Sequence, residues 1–486
     1  MVKHVPPEKQ PQLFGHPAGL YVLFAAEMWE RFSYYGMRGL LRAYMVYYLF
    51  STANRPLYPR GDATTPPDVP ENHKGALGFE FIRGIYSGDA TVNDFASHIY
   101  GLYTAFVYLT PFFGGIIADR WLGQRKTVVI GGLIMALGHF VMASEKFFFV
   151  ALGLLIIGNG CFKPNISTQV GDLYKQGDPR RDGAFTIFYM GINLGAFICN
   201  LVCGTLAAIY GWHFGFGAAG VGMLIGLASY LGFQRYLAVE PPRKQLQEAS
   251  HGGGPLQKDE WQRVGALVVL CALNIAFWAI YEQQGNTMQA WADTQTNWPT
   301  ILGFQIPPNW FQSFNPFMIF AFAPLLDMFW ARQAKNGTEP SSVAKMAIGC
   351  IIVGLSFVVM AVGATIVGDG KGSLLWPFFC TLVLTIGELY LSPIGLSLVT
   401  KVSPARIVSM MMGMWFVSSF AGNYLSGSLG TLYDDMSKQA FFLMLSAIGV
   451  GTGLAMWALN KPLKKALGAG GPPPAAVPQE ASAGAS

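Results

Sequence analysis

The chain has 486 residues, of which 52% are hydrophobic and 12% are charged, and its formal net charge is +5 at pH 7. This composition argues against a set of soluble domains, and repeated apolar runs of about 20 residues indicate a polytopic membrane protein. Because the basic residues lie mostly in short loops, the positive charge does not indicate nucleic-acid binding.

Twelve apolar spans divide into two sets of six, separated by a polar cytoplasmic linker at 237–260. The first set covers 19–50, 94–118, 126–143, 147–173, 183–209 and 214–236, and the second covers 261–291, 310–333, 343–367, 374–400, 407–432 and 439–459. Each span is long enough to cross a bilayer as a helix. We therefore predict an all-α membrane protein with twelve transmembrane helices, in one six-helix bundle at 19–236 and another at 261–460.

Three polar segments lie outside these helices. We expect residues 1–18 to be a cytoplasmic tail, residues 51–93 a long extracellular or periplasmic loop with short structure near 79–86, and residues 461–486 a disordered cytoplasmic tail. An even number of spans places both termini on one side, and the loops of that side hold most of the basic residues. This asymmetry predicts cytoplasmic termini and a multi-pass protein of the cell membrane, which is the inner membrane in a bacterium.

The first span carries four charged residues in a position where a charge facing lipid would cost about 2.5–3.5 kcal/mol. Glu27, Glu30, Arg31 and Arg38 fall on one face of a helix, at offsets that suit its 3.6-residue turn. Intramembrane charges normally face a cavity and find partners. The arrangement favours a proton and substrate site in a transporter, and a structural ion-pair lock between helices is the alternative.

Other features limit the possible chemistry. All six cysteines fall in apolar spans without the spacing of a zinc site, so we expect no metal, no disulfide framework and no cofactor, with the proton as coupling ion. The sequence has no HExxH motif and no Ser/His pair at matching depth, and its intramembrane charges are clustered instead of forming rings. These features disfavour an enzyme and a channel. We expect the two histidines within spans, His98 and His139, to form interhelical hydrogen bonds.

The loop after the second span, at 114–126, contains paired glycines, Asp119-Arg120 and Arg125-Lys126. It resembles the loop signature of the major facilitator superfamily, which implies a gating role for Asp119 and Arg120. Asp119 would cap a helix or pair across a helix gap, while the basic residues hold the inner face. A simple topogenic basic loop is the alternative.

Seven further motifs follow one another along the chain. They are Glu-Met-Trp-Glu-Arg-Phe at 27–32, the Lys-Pro segment at 158–165, and the stretches 188–197, 277–283, 313–316, 387–393 and 414–416. Together they resemble the proton-dependent oligopeptide transporter (POT/PTR) family of that superfamily, over residues 20 to about 460. The resemblance implies a proton-coupled symporter that imports di- and tripeptides by alternating access, and not an enzyme.

The chain departs from the family pattern in three places. The linker is too short for the two extra helices that many bacterial members carry, and the loop at 51–93 is unusually long for a bacterial member. Gly101 occupies the place of a histidine in animal members, so a histidine-based proton step on the animal pattern is not expected.

A peptide is a zwitterion, and its carboxylate end needs cations. The resemblance implies that Arg38 and Lys163, together with Tyr35, bind this end. The spans contain two other cations, Arg31 and Arg42, and we expect Arg42 to lie nearer the membrane interface.

The amino end of a peptide needs an acid and amide oxygens, and the space between the ends needs walls. The resemblance implies that Asn193, Asn315 and Glu388 bind the amino end. It also implies that Tyr108 positions the peptide backbone and that Trp278 and Trp415 form walls of the pocket. For the two tryptophans, ordinary packing is an equally good alternative.

Proton coupling needs a group whose proton affinity changes with conformation or occupancy. Glu27 and Glu30 beside Arg31 fit this description, because a buried carboxyl group that changes partners can load and release a proton. We also predict that Glu282 forms a salt bridge to Lys163 across the two halves. Protonation of Glu27 or Glu30 would free Arg31, and breaking the Glu282–Lys163 bridge would let the halves rock.

The main alternative function lies within the same family, as an importer of another small anion or zwitterion such as an amino acid or a peptidomimetic drug. Nitrate is disfavoured, because the family's nitrate carriers place a histidine in the seventh span and 261–291 contains none. The partners we expect are a di- or tripeptide, protons and membrane lipids, with no nucleic acid, and we expect a monomer.

Overall fold

The computed structural model describes residues 4–51, 55–59, 74–88, 91–175, 178, 180–238, 257–403 and 407–467. The first half contains α1 (Ala18–Tyr44), α2 (Phe79–Ile85), α3 (Val92–Ile117), α4 (Gln124–Val141), α5 (Phe148–Asp172), α6 (Arg180–Ile209) and α7 (Trp212–Gly232). The second half contains α8 (Lys258–Tyr281), α9 (Thr287–Thr294), α10 (Phe314–Lys335), α11 (Ser342–Val367), α12 (Leu375–Val402), α13 (Val408–Asp435), α14 (Lys438–Ala458) and α15 (Asn460–Ala466).

Six two-residue strands lie in the segments that connect or precede the helices. β1 (Gln12–Leu13) pairs antiparallel with β2 (His16–Pro17), β3 (Thr296–Asn297) pairs parallel with β6 (Gly372–Ser373), and β4 (Thr300–Ile301) pairs antiparallel with β5 (Phe304–Gln305). Short 3₁₀ or π turns occupy Pro7–Lys9, Met45–Leu49, Ala118–Leu122, Glu145–Phe147, Gln234–Tyr236, Glu282–Gln284 and Pro308–Ser313.

Every predicted span contains a long helix, and the prediction of an all-α membrane protein is confirmed. In the described part of the chain, nine spans are long and apolar enough to cross a membrane. The other long helices are α1, α4 and α13, and α1 carries its charges within its apolar run. The total of twelve transmembrane helices stays a prediction.

Two predicted segments differ from the structure. The seventh span, 261–291, is interrupted where α8 gives way to the turn Glu282–Gln284, and α9 begins at Thr287. The run Gln283-Gln284-Gly285-Asn286 explains the break, because glycine and asparagine are poor helix formers. The tail at 461–486 begins as α15, and its residues 468–486 lie outside the described part of the chain. The short structure expected at 79–86 is present as α2.

Local sequence signals set where α3 begins. The Thr91 hydroxyl accepts a hydrogen bond from the Asp94 backbone at 3.1 Å, and the Asp94 carboxylate accepts one from the Thr91 backbone at 2.9 Å. This capping box satisfies backbone N–H groups that have no partner inside the helix. It fixes the end of α3 that lies away from the chain termini.

The buried hydrophobic side chains form two clusters. One extends from Leu20 to Leu237 and the other from Val264 to Leu467. Within the first cluster, α1 packs closely against α6, since a side chain at Gly195 would clash with the Met28 carbonyl group. The charged side chains Glu27, Glu30 and Arg31 of α1 are buried.

The two halves meet along helices on both sides of a central space. α3 packs against α13, and α6 packs against α10 and the turn that precedes it. Hydrogen bonds join the halves on the side away from the termini, as in the pairs Tyr58–Asp293 at 2.7 Å and Asn93–Asp434 at 2.7 Å. The central space is therefore closed on that side.

Candidate functional site

A cavity of about 960 Å³ lies between the two halves. All nine residues that the sequence predicted to bind peptide line it, and so does Glu282; the nine are Tyr35, Arg38, Tyr108, Lys163, Asn193, Trp278, Asn315, Glu388 and Trp415. They come from eight helical elements of both halves. The cavity continues toward the side of the termini, where Ser167, Phe185 and Met412 line it.

The cations of the cavity belong to the first half. Lys163 lies next to Pro164 inside α5, and its ammonium group sits 4.8 Å from the centre of the Tyr108 ring. Among the described residues, no carboxylate forms an ion pair with Lys163. A cation held by a ring face alone keeps its charge available to a ligand.

Arg38 is held by both halves. Its Nε atom donates to the Tyr100 hydroxyl at 2.7 Å, and a terminal nitrogen pairs with Glu282 of the second half. The predicted salt bridge between Glu282 and Lys163 is therefore wrong in this conformation. Arg38 reaches Glu282 because the first turn after α8 places that carboxylate opposite α1, with its side chain fully buried.

The acidic side of the cavity belongs to the second half. The Asn315 amide donates to Glu388 at 2.7 Å and to the Thr385 hydroxyl at 3.0 Å. Glu388 forms no ion pair among the described residues, so its carboxylate faces the cavity with neutral partners. As far as the described residues show, the cavity therefore has an unpaired cation in one half and an unpaired acid in the other.

Aromatic rings and an amide complete the wall. The Trp278 ring lies 6.1 Å from that of Tyr108 and 5.4 Å from that of Tyr281. Its indole nitrogen is buried without a hydrogen-bond partner among the described residues. Trp415 packs on Gly395, and Asn193 donates to the Tyr189 carbonyl at 3.0 Å.

The charged triad of α1 lies beside the cavity and is buried. Arg31 pairs with Glu27 at 3.0 Å and with the adjacent Glu30. Asn159 of α5 donates to the other oxygen of Glu30 at 3.1 Å. The triad thus lies within the first half, and its guanidinium also approaches the Tyr35 ring, whose centre is 5.9 Å away.

On the closed side, Arg42 forms a polar cluster with Asn286 and Asn93, two residues that were not predicted from the sequence. Arg42 is buried where the two halves meet, and its Nε atom donates to Asn286 at 2.9 Å. Its position near the membrane interface stays a prediction. Its terminal nitrogen donates to Asn93 at 3.2 Å. The polar run at the break of the seventh span was the available signal for Asn286.

The loop motif lies on the opposite side of the molecule. Asp119 and Arg120 are exposed in the π turn after α3, and neither forms a side-chain hydrogen bond or ion pair within the described residues. The expected pairing of Asp119 across a helix gap is thus not seen. Arg125 does hold this face, since it donates to the Leu237 carbonyl at 3.0 Å.

Two further expectations concern buried polar residues. His139 lies 2.6 Å from the Ser33 hydroxyl, which confirms an interhelical hydrogen bond between α4 and α1. His98 stacks on Tyr86 with ring centres 4.4 Å apart. All six cysteines are buried as free thiols.

Comparisons with known proteins agree on one family. The family model described as the POT family matches residues 125–251 and 255–454. The peptide transporter YePEPT of Yersinia enterocolitica is 34% identical, over 86% of this chain and 88% of the relative. A di-/tripeptide transporter of Lactococcus lactis subsp. cremoris is 31% identical, over 94% and 97%. The crystal structure of peptide transporter POT in complex with sulfate aligns with a TM-score of 0.78 and 32% identity, over 95% of this chain and 98% of that one.

Proposed function

This chain belongs to the POT family, a family of multi-pass membrane transporters, and from that premise we propose that it is a proton-coupled symporter of di- and tripeptides. It imports them across the bacterial inner membrane, with both termini in the cytoplasm. The observation that carries the proposal is the pair of unmatched charges, Lys163 and Glu388, that face one cavity from opposite halves.

This arrangement suits the two ends of a peptide. Lys163 and, when it leaves Glu282, Arg38 attract the carboxylate, while Glu388 and the Asn193 and Asn315 amides receive the ammonium group. The Trp278 indole N–H is available to a peptide carbonyl. Each charged end thus finds an opposite charge in a different half, so a bound peptide draws the halves together.

The size of the cavity supports tolerance of different side chains. Ligand pockets commonly have volumes of about 300–1,000 Å³, and this cavity lies at the upper end of that range. Its walls between the charged groups include Trp415 and Ile319, which are apolar or aromatic and make no directional demand. Recognition of the two ends therefore leaves the side chains of the peptide largely free.

Transport by alternating access follows from movement of the bundle at 19–236 against the bundle at 261–460. The conformation described here is closed on the side away from the termini, and opening that side breaks the Arg38–Glu282 pair. Protonation of Glu27 or Glu30 loosens their hold on Arg31, the step that couples the proton to the cycle. The monomer contains every element of this cycle.

Uptake of labelled dialanine into proteoliposomes tests the proposal. With an inward proton gradient, dialanine should accumulate, and a protonophore should abolish the accumulation. Absence of uptake by folded, inserted protein would favour another small anion or zwitterion as the substrate.

A second comparison tests the charged ends directly. Wild-type protein should take up dialanine and reject N-acetyl-dialanine, which lacks the ammonium group that Glu388 receives. Glu388→Gln should lose this discrimination, whereas Glu339→Gln, in an acid outside the cavity, should keep it. Equal preference in wild type and Glu388→Gln would contradict the assignment of Glu388.

A further inference from the structure

Asn286 lies where four structural elements meet on the closed side. It occupies the break between α8 and α9, and its side chain is fully buried. Its amide oxygen accepts from Arg42 of α1 at 2.9 Å and from the Ser97 hydroxyl of α3 at 3.0 Å. One acceptor of the second half thus binds two helices of the first.

The same donors lead to a second contact between the halves. Arg42 also donates to Asn93 at 3.2 Å, and Asn93 donates to Asp434 of α13 at 2.7 Å. Lys438 holds Asp434 at 2.7 Å from within the second half. These polar contacts therefore cross the interface in three places, at Arg42–Asn286, Ser97–Asn286 and Asn93–Asp434. Arg42 connects the first of them to the third, because it also donates to Asn93 within the first half.

Glycines let the backbones approach closely enough for these contacts. A side chain at Gly430 of α13 would clash with the amide nitrogen of Asn286. One turn away, a Cβ at Gly101 of α3 would lie 2.6 Å from the Gly427 Cα atom. At Gly101 the facing backbone leaves no room for an added methyl group, and at Gly430 an added methyl group would displace the Asn286 side chain.

We propose that Asn286 is a positioning residue that keeps the side away from the termini closed, and that it releases Arg42 and Ser97 when that side opens. This inference deepens the proposed function, because the release is a step of the transport cycle. A neutral amide suits this task, since a carboxylate in its place would bind Arg42 by a stronger, charge-assisted hydrogen bond and resist opening.

Distances between spin labels test the proposal without any peptide. Ser87→Cys and Asp435→Cys place labels on two exposed residues of opposite halves on the closed side. The unsubstituted chain, with its six buried cysteines, gives the background labelling. Since the measurement needs no substrate, its outcome is independent of whether dialanine is transported.

Asn286→Leu removes the acceptor at similar volume. Gly430→Ala removes no donor or acceptor but places a methyl group against the Asn286 side-chain amide, which must shift away. In both variants the ratio of molecules open on this side to molecules closed on it should rise roughly 10-fold to 100-fold. The label distances should therefore shift to longer values. Asn286→Asp should do the reverse. Asn274→Leu is the matched control, because Asn274 is equally buried in α8 but bonds to Ser418 within the same half.

The outcomes separate the alternatives. Longer distances in Asn286→Leu and Gly430→Ala, with Asn274→Leu unchanged, support the proposal, and slower uptake in the first two would link it to transport. If Asn286→Leu fails to fold, Gly430→Ala and Asn286→Asp decide the matter. Unchanged distances in the folded variants, or the same lengthening in Asn274→Leu, would overturn it.

Discussion

The charges of α1 form two regions that differ in what they bind. The triad of Glu27, Glu30 and Arg31 is satisfied inside the first half, with Asn159 of α5 as its polar neighbour. Arg38 and Arg42, about two and three turns after Arg31, are bound to residues of the second half. In the proposed cycle, rocking of the two halves would leave the triad assembled and separate the second region.

In the proposed cycle, the two regions would have separate parts in coupling. A group that stays assembled can change its proton content without a change of partners across the interface, so it suits proton binding. Contacts that cross the interface depend on the conformation, because they would form only while the side away from the termini is closed. Arg31 and Arg38, seven residues apart on one helix, connect the two tasks.

The largest effect should come from the triad. Glu30→Gln removes the carboxylate that we propose to bind the proton and that Arg31 and Asn159 both contact. Proton-driven dialanine uptake should fall to background, while counterflow exchange, which needs no net proton movement, continues. Glu80→Gln, on the exposed face of α2, is the control and should transport normally. Loss of exchange together with uptake, in a normally inserted variant, would assign the triad a structural role.

Lys163→Ala should have the next largest effect, because it removes the cation that neither region engages. A hydrogen bond to a charged group contributes about 1.5–3 kcal/mol, so the apparent affinity for dialanine should fall roughly 10-fold to 100-fold. Concentration dependence of counterflow measures this change. Lys163→Arg, which keeps the charge, should retain part of the affinity, and an unchanged affinity in Lys163→Ala would exclude Lys163 from the site.

Glu282→Gln removes the ion pair of the second region and leaves the triad unchanged. Among the described residues, Arg38 would keep the Tyr100 hydroxyl and a neutral amide oxygen as acceptors, so the conformational equilibrium should move toward opening by roughly 10-fold. Spin labels on the closed side should report longer distances. Glu339→Gln is the matched control, since it breaks a 2.6 Å pair with Lys345 inside one half. Equal shifts in the two variants would mean that the Arg38–Glu282 pair has no special part in closure.

The smallest effect should come from Ser33→Ala, which removes the contact of α1 with His139. Loss of one buried hydrogen bond should lower the free energy of unfolding by about 1 kcal/mol, with normal uptake. Thermal unfolding in detergent measures the stability. Normal stability with impaired uptake would instead place His139 in the transport cycle.

The sequence predicted which residues line the cavity better than it predicted which of them pair with one another. The nine predicted peptide-site residues all line one cavity, because motif resemblance carries over which helix faces converge. It gives no partner for Glu282, since Lys163 and Arg38 are both cations of the facing half and only the packed structure brings one of them within reach. The burial of Arg42 has the same cause, because its partner Asn286 is distant in the chain.

Composition, apolar periodicity and motif order were enough to determine a helical membrane transporter with its charged residues on one face of α1. Those properties depend on local spacing and on the cost of exposing charge to lipid. Which charges pair, and which side is closed, was decided by the tertiary structure alone. The turn at Glu282–Gln284 and the close glycine contacts between α3 and α13 set these pairings, because atoms far apart in the chain must approach within hydrogen-bonding distance.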